Sequence, residues 1–203
     1  MTLDDLRERA RVIIDPLAVL LEGLGITPNQ LTMLSLVFSA LAALFYYISP
    51  SREVMLYCAA IMLLLCAVSD VADGALARQT GRADARGDFL DHVIDRYADM
   101  LILIGIIFAG YVPYQIGIVA VVGVMLTSYI GTEAQALRLG RYYGGMMGRA
   151  DRLTTIFLAT LGNAIYHGEI EGLPILGWVI VMTMLSSHIT ALQRFNHIWK
   201  SLK

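Results

Sequence analysis

The chain has 203 residues, of which 57% are hydrophobic and 16% charged, and its formal net charge is −2. A soluble domain of this length carries about 25% charged residues, so the composition argues against one, and the near-neutral charge gives no indication of nucleic-acid binding. The apolar residues cluster into runs close to the ~20 that a helix needs to cross a bilayer. We therefore expect a single all-α integral membrane domain over residues 1–203.

The N-terminal segment carries apolar residues at helical spacing, among them Leu3, Leu6 and Ile13, with acidic and basic residues on the other face. This pattern predicts an amphipathic interfacial helix over residues 1–22, which lies along the membrane surface. An ordinary soluble helix is the alternative interpretation.

Apolar spans then alternate with polar or glycine- and proline-containing turns. Thr27-Pro28-Asn29 is typical of a helix start, with proline in the first turn. The pattern predicts a six-helix transmembrane bundle over residues 28–199, with spans at roughly 30–48, 53–78, 87–110, 114–139, 151–166 and 175–198.

The basic residues are distributed asymmetrically among the predicted loops. An even number of spans places both termini on one side, and the loops and ends of that side hold all the arginines and lysines except Arg52. By the positive-inside rule this side is cytoplasmic. We expect a multi-pass protein of a prokaryotic plasma membrane with both termini in the cytoplasm.

Four aspartates lie where the second span ends and the third begins. Asp70 and Asp73 are three residues apart, and Asp91 and Asp95 are four apart, so each pair shares one helix face, with Cβ atoms roughly 5–6 Å apart. Acids at such positions are costly unless a cation holds them. Oxygen-only clusters suit Mg²⁺ or Mn²⁺, and four acids are compatible with two ions that clamp phosphoryl oxygens. The predicted site opens to the cytoplasm.

Small residues and an arginine accompany these acids. Gly74 and Gly87 lack side chains where a nucleotide phosphate or base can approach the backbone. The small side chain of Ala77 leaves space at one wall of such a pocket, and Arg78 offers a bidentate phosphate or base contact.

Together these residues form the run Asp70-x2-Asp73-Gly74-x2-Ala77-Arg78-x8-Gly87-x3-Asp91-x3-Asp95. It resembles, without departure, the signature of the CDP-alcohol phosphatidyltransferases, and the six-span plan resembles that family over nearly the whole chain. The resemblance implies transfer of a phosphatidyl-type group, diacyl or archaeol, from a CDP-linked lipid to an alcohol, with release of CMP, in phospholipid biosynthesis. It also implies a homodimer.

The resemblance further implies roles for individual residues. Asp70, Asp73 and Asp91 would bind the metal ions, and Asp95 would be a fourth acid near them and the general base. The cytidine-diphosphate pocket would comprise Asn29, Thr32, Asp70, Gly74, Ala77, Arg78 and Gly87.

The acceptor is also predicted from resemblance. The continuation from Asp95 through Arg96 to Asp99 resembles the branch of the family that uses inositol or inositol phosphate. Basic residues of that branch bind the acceptor phosphate, a role carried here to Arg149, Arg152 and Arg194. For these arginines, membrane topology or anionic-lipid contact is the alternative, and Asp99 either contacts the acceptor or orders neighbouring residues.

Two other sets of functions remain open from the sequence. The same reaction with glycerol 3-phosphate, serine or free inositol as acceptor is one alternative. The other is a divalent-cation transporter, because acids within a membrane also mark ion paths. Against a transporter, the acids lie at helix ends, and the sequence shows no inverted repeat.

Overall fold

A computed structural model describes residues 14, 16–140, 142 and 144–202. Within these residues six long α-helices follow one another: α1 (Pro28–Ile48), α2 (Val54–Gln79), α3 (Ala85–Phe108), α4 (Tyr114–Ala136), α5 (Arg149–Ile165) and α6 (Ile175–Ser201). Each lies within a few residues of a predicted span, so the all-helical architecture is confirmed.

Four of the helices in the described part of the chain are long and apolar enough to cross a membrane, namely α1, α2, α4 and α6. Large apolar side chains point outward along them, with Leu64 51% exposed and Leu185 55% exposed. An apolar exterior of this kind is stable in lipid and not in water. The chain is therefore an integral membrane protein.

Two helices begin with side-chain caps that the local sequence encodes. Thr27 Oγ1 accepts a hydrogen bond from the Gln30 amide, and Gln30 Oε1 accepts one from the Thr27 amide at 2.8 Å, which together cap α1. Asp84 Oδ1 accepts a 2.7 Å hydrogen bond from the Gly87 amide at the start of α3. The proposed nucleotide-binding residues Asn29 and Gly87 thus lie in the first turns of capped helices.

The packing of the bundle leaves a gap beside the acidic residues. Helix α1 packs against both α2 and α3, α4 packs against α6, and α5 contacts α2 and α6. Among the described residues the backbones of α2 and α3 make no close contact with one another. The space between these two helices is therefore spanned by side chains.

Residues 16–23 are helical, and their apolar side packs against α1 and α2 through Ala18, Leu31 and Leu76. These residues overlap the C-terminal part of the segment, residues 1–22, for which the sequence predicts an amphipathic interfacial helix. The rest of that prediction, residues 1–13 and 15, lies outside the described residues.

Candidate active site

Three of the four predicted acids converge between α2 and α3. One carboxylate oxygen each of Asp70, Asp91 and Asp95 lies within 4.8 Å of the other two. Asp70 lies in the second half of α2, and the other two lie one turn apart in the first half of α3. Oxygen atoms so close together repel one another unless a cation lies among them, and hard divalent cations prefer such ligands.

Asp73 lies apart from this group. Its side chain is buried, and its Oδ2 accepts a 2.6 Å hydrogen bond from Thr32 Oγ1 on α1. Asp73 is therefore held by α1 through one of its carboxylate oxygens.

Arg149, the first residue of α5, connects three aspartates on two other helices. Its Nη1 lies 2.6 Å from Asp70 Oδ1 and 2.9 Å from Asp95 Oδ1, and its Nε lies 3.4 Å from Asp99 Oδ1. Asp99 also forms a buried ion pair with Arg152, one turn further along α5. Asp99 thus contacts both arginines and also lines the space beside them.

A cavity of about 510 Å³ lies on the α1 side of the acids. Its walls include every residue predicted for the cytidine-diphosphate pocket except Asp70, namely Asn29, Thr32, Gly74, Ala77, Arg78 and Gly87. A Cβ atom at Gly87 would lie 3.5 Å from Asn29 Oδ1, and one at Gly74 would lie 3.3 Å from Arg78 Nη1. The two glycines therefore keep this cavity open beside its polar side chains. We call it the motif cavity.

A second cavity, of about 810 Å³, lies on the α5 side of the acids. All four residues predicted to bind the acceptor line it, namely Asp99, Arg149, Arg152 and Arg194. Asp70 and Asp95 also line this cavity, whereas Asp73 and Asp91 line the motif cavity. The carboxylate cluster thus lies between the two spaces, and we call the second one the arginine cavity.

Arg96 lines the arginine cavity but was given no role from the sequence. Its Nη1 lies 3.2 Å from Asp95 Oδ2, and its Nε donates a hydrogen bond to Ser128 Oγ on α4. Asp95 therefore has an arginine beside each of its carboxylate oxygens. The position of Arg96 next to the fourth acid of the motif could have indicated a role for it from the sequence. The contact with Ser128 could not, because it depends on how α3 and α4 pack.

Arg194 reaches the same cavity from α6. Its Nε donates to the carbonyl oxygen of Gly144 at 2.9 Å, and its Nη1 donates to that of Thr127 at 2.8 Å. The side chain is buried. This arginine therefore also connects α6 to α4 and to the loop that precedes α5.

The donor set of the cluster fits a divalent metal. One carboxylate oxygen each of Asp70, Asp91 and Asp95 lies within 4.8 Å of the other two. Closely spaced carboxylate oxygens are the ligands that hard divalent cations prefer.

Most of the chain matches one family of known proteins. The family model for CDP-alcohol phosphatidyltransferases matches residues 25–189. The archaetidylinositol phosphate synthase of Pyrococcus horikoshii is 34% identical over 177 residues, which cover 87% of this chain and 91% of that protein.

Two crystal structures of Mycobacterium tuberculosis phosphatidylinositol phosphate synthase have the same fold. The one with CDP-DAG bound gives a TM-score of 0.76 at 25% identity, covering 92% of this chain and 94% of that one. The one in complex with manganese and citrate gives a TM-score of 0.77 at 24% identity, covering 92% and 88%. On the family match and the relative's identity, the chain belongs to the CDP-alcohol phosphatidyltransferase family and is a membrane-bound transferase of phospholipid biosynthesis.

Proposed function

We propose that the chain transfers a phosphatidyl-type group from a CDP-linked lipid to an inositol phosphate and releases CMP. The observation that carries this proposal is the position of the acidic cluster between two cavities of different chemistry. The family's motif residues other than Asp70 and Asp95 line one cavity, and three arginines that suit a phosphorylated acceptor line the other. The lipid's cytidine diphosphate would occupy the motif cavity, and the acceptor would occupy the arginine cavity.

Arg149 supports a phosphorylated acceptor more specifically. Its Nη2 is buried and has no hydrogen-bond partner among the described residues, although the residue lines the arginine cavity. A buried guanidinium donor without a partner is unfavourable, and an acceptor phosphate would satisfy it. Synthases of inositol phosphate lipids among the relatives agree with this choice of acceptor.

Metal binding is assigned to the four aspartates of the motif. Asp70, Asp91 and Asp95 supply the clustered oxygens, and Asp73, held by Thr32, would contribute its second oxygen. We propose two Mg²⁺ or Mn²⁺ ions, which when bound neutralise the pyrophosphate and polarise its phosphorus for attack.

Asp95 is proposed as the general base. Asp95 lines the arginine cavity, and Arg96 and Arg149 lie beside its two carboxylate oxygens. It would remove the proton from the acceptor hydroxyl, whose oxygen then attacks the lipid-side phosphorus as the bond to CMP breaks. Arg149 and Arg152 would hold the acceptor phosphate so that the hydroxyl faces Asp95.

The proposed membrane arrangement rests on the distribution of basic residues along the chain. We propose that α3 and α5 also cross the membrane, which makes six spans in one domain, and that the acidic ends of α2 and α3 face the cytoplasm of a prokaryotic cell. The distribution of arginines and lysines supports that orientation. A homodimer is proposed from family resemblance.

The test is an acceptor panel with purified protein and CDP-diacylglycerol or CDP-archaeol, scored for CMP. Inositol 1-phosphate, free inositol, glycerol 3-phosphate and serine are offered separately. We expect release of CMP with inositol 1-phosphate to exceed that with every other acceptor. A preference for another acceptor would overturn the acceptor assignment. Divalent-cation flux in liposomes without any release of CMP would instead favour the transporter.

A further inference from the structure

The loop between α4 and α5 lies directly on one residue of α6. Thr190 is fully buried, and its Oγ1 accepts a 3.2 Å hydrogen bond from the Met147 amide. Gly145 has φ +139°, and a Cβ atom there would lie 2.2 Å from Thr190 Cγ2. A side chain at position 145 is therefore excluded both by the backbone conformation and by the contact.

Arg194 holds the same loop one helical turn further along α6. Residues four apart share a helix face, and the Arg194 guanidinium donates to the carbonyl oxygens of Gly144 and Thr127. A Cβ atom at Gly131 would lie 2.7 Å from Arg194 Nη1. The absence of a side chain on α4 at this point thus makes room for the guanidinium group.

The loop leads directly into the arginines of the proposed acceptor site. Gly148 donates its amide to Asp151 Oδ2 at 2.9 Å as α5 begins, and Arg149 is the next residue. Only Gly148 separates Met147, which Thr190 holds, from Arg149, which contacts Asp70 and Asp95. A displacement of the loop would therefore move Arg149 relative to the aspartates.

We propose that Thr190 and Arg194 are positioning residues that fix this loop and, through it, the Arg149 guanidinium for acceptor binding. The proposal rests on the proposed function and adds Thr190, which lines neither cavity. If Arg194 acted solely as a ligand of the acceptor, the hydroxyl of Thr190 would be irrelevant to acceptor binding. Thr190 therefore distinguishes positioning from direct binding.

The test is Thr190→Val in the full-length protein, since valine keeps the shape and removes the hydrogen-bond acceptor. Thr183→Val is the matched control, because Thr183 is also fully buried in α6 and its Oγ1 has no hydrogen-bond partner within the described ranges. The measurements are KM for inositol 1-phosphate, KM for the CDP-lipid, and hydrogen exchange of the peptide that contains residues 144–148.

For Thr190→Val we expect KM for inositol 1-phosphate to rise about fivefold, the loss that accompanies one hydrogen bond of ordinary strength. KM for the CDP-lipid stays unchanged, and amide exchange of the loop becomes faster. We expect Thr183→Val to behave like the wild type. We expect Thr190→Ser, which keeps the hydroxyl, to have the wild-type KM for inositol 1-phosphate and the wild-type rate of loop exchange. Equal acceptor KM and equal loop exchange in Thr190→Val and Thr183→Val would overturn the proposal.

A second variant approaches the same loop from α4. Gly131→Ala places a methyl group against Arg194 and 3.2 Å from the Tyr142 carbonyl oxygen, so it should also raise the acceptor KM and speed loop exchange. Wild-type protein that releases no CMP with inositol phosphate would contradict the proposed function alone, because the exchange measurement still reports whether Thr190 and Arg194 hold the loop. Unchanged exchange in both variants would contradict the positioning role alone.

Discussion

Arg149 Nη1 lies 2.6 Å from Asp70 Oδ1, so the first residue of α5 is joined to the second half of α2. The same nitrogen lies 2.9 Å from Asp95 Oδ1 on α3. One guanidinium group therefore spans the gap between two helices whose backbones do not touch in the described part of the chain. This contact links the proposed acceptor site to the proposed metal ligands.

Replacement of Arg149 by glutamine should lower both stability and acceptor binding. It leaves Asp70, Asp95 and Asp99 without their shared cation, and Arg149 is half-buried. Removal of one partner of an ion pair costs about 3–5 kcal/mol when the pair is fully buried, so a smaller loss is expected here. We expect a lower thermal midpoint in detergent and a higher KM for inositol 1-phosphate. Arg52→Gln, at an exposed position outside the site, is the control. Equal thermal midpoints for the two variants would contradict the role given to Arg149.

Replacement of Asp95 by asparagine should abolish most turnover while leaving the CDP-lipid bound. Asparagine keeps the shape but cannot accept the proton, and general bases contribute about 10²–10⁴ in rate. The measurements are the rate of CMP release and equilibrium binding of the CDP-lipid. Activity near that of the wild type would refute the role of Asp95 as base.

Thr32→Val tests the contact that holds Asp73. The variant loses the 2.6 Å hydrogen bond to Asp73 Oδ2, so KM for the CDP-lipid should rise about fivefold with little change in KM for the acceptor. Thr32→Ser keeps the hydroxyl and is expected to resemble the wild type. If the valine and serine variants had the same KM for the CDP-lipid, the hydroxyl contact would have no part in binding.

Gly87→Ala tests the space in the motif cavity. The added methyl group would lie 3.2 Å from Asp84 Oδ1 and 3.5 Å from Asn29 Oδ1, closer than an unstrained contact with the first atom allows. We expect a higher KM for the CDP-lipid and an unchanged KM for the acceptor. Gly23→Ala, where a Cβ atom has no neighbour within 4 Å in the described structure, is the control. A shift confined to the acceptor KM would contradict the assignment of the two cavities.

The helices and the acidic cluster could be predicted from the sequence because both depend on the spacing of residues that are close together in the chain. Apolar runs predicted the bounds of α1 and α2 to within a few residues, and the four-residue spacing of Asp91 and Asp95 placed both on one helix face. The convergence of these two with Asp70 was likewise expected from helices that end and begin at the same side.

Contacts between distant segments could not be predicted in the same way. Nothing in the local pattern indicates that Thr32 holds Asp73, or that α1 rather than α3 packs along α2. Arg194 was predicted as an acceptor ligand from resemblance, but its bonds to two carbonyl oxygens depend on where the α4–α5 loop crosses α6. Tertiary packing determines which distant segments Asp73, α2 and Arg194 contact.

The most direct test of the account measures CMP released from a CDP-linked lipid in the presence of inositol 1-phosphate, as a function of added Mg²⁺ or Mn²⁺. Chelated wild-type protein should be inactive and regain activity on addition of either ion, whereas Asp70→Asn and Asp91→Asn should need much higher concentrations of the ion or stay inactive. Full activity in chelator, or an unchanged metal requirement in both variants, would contradict the claim that these carboxylates bind the catalytic ions.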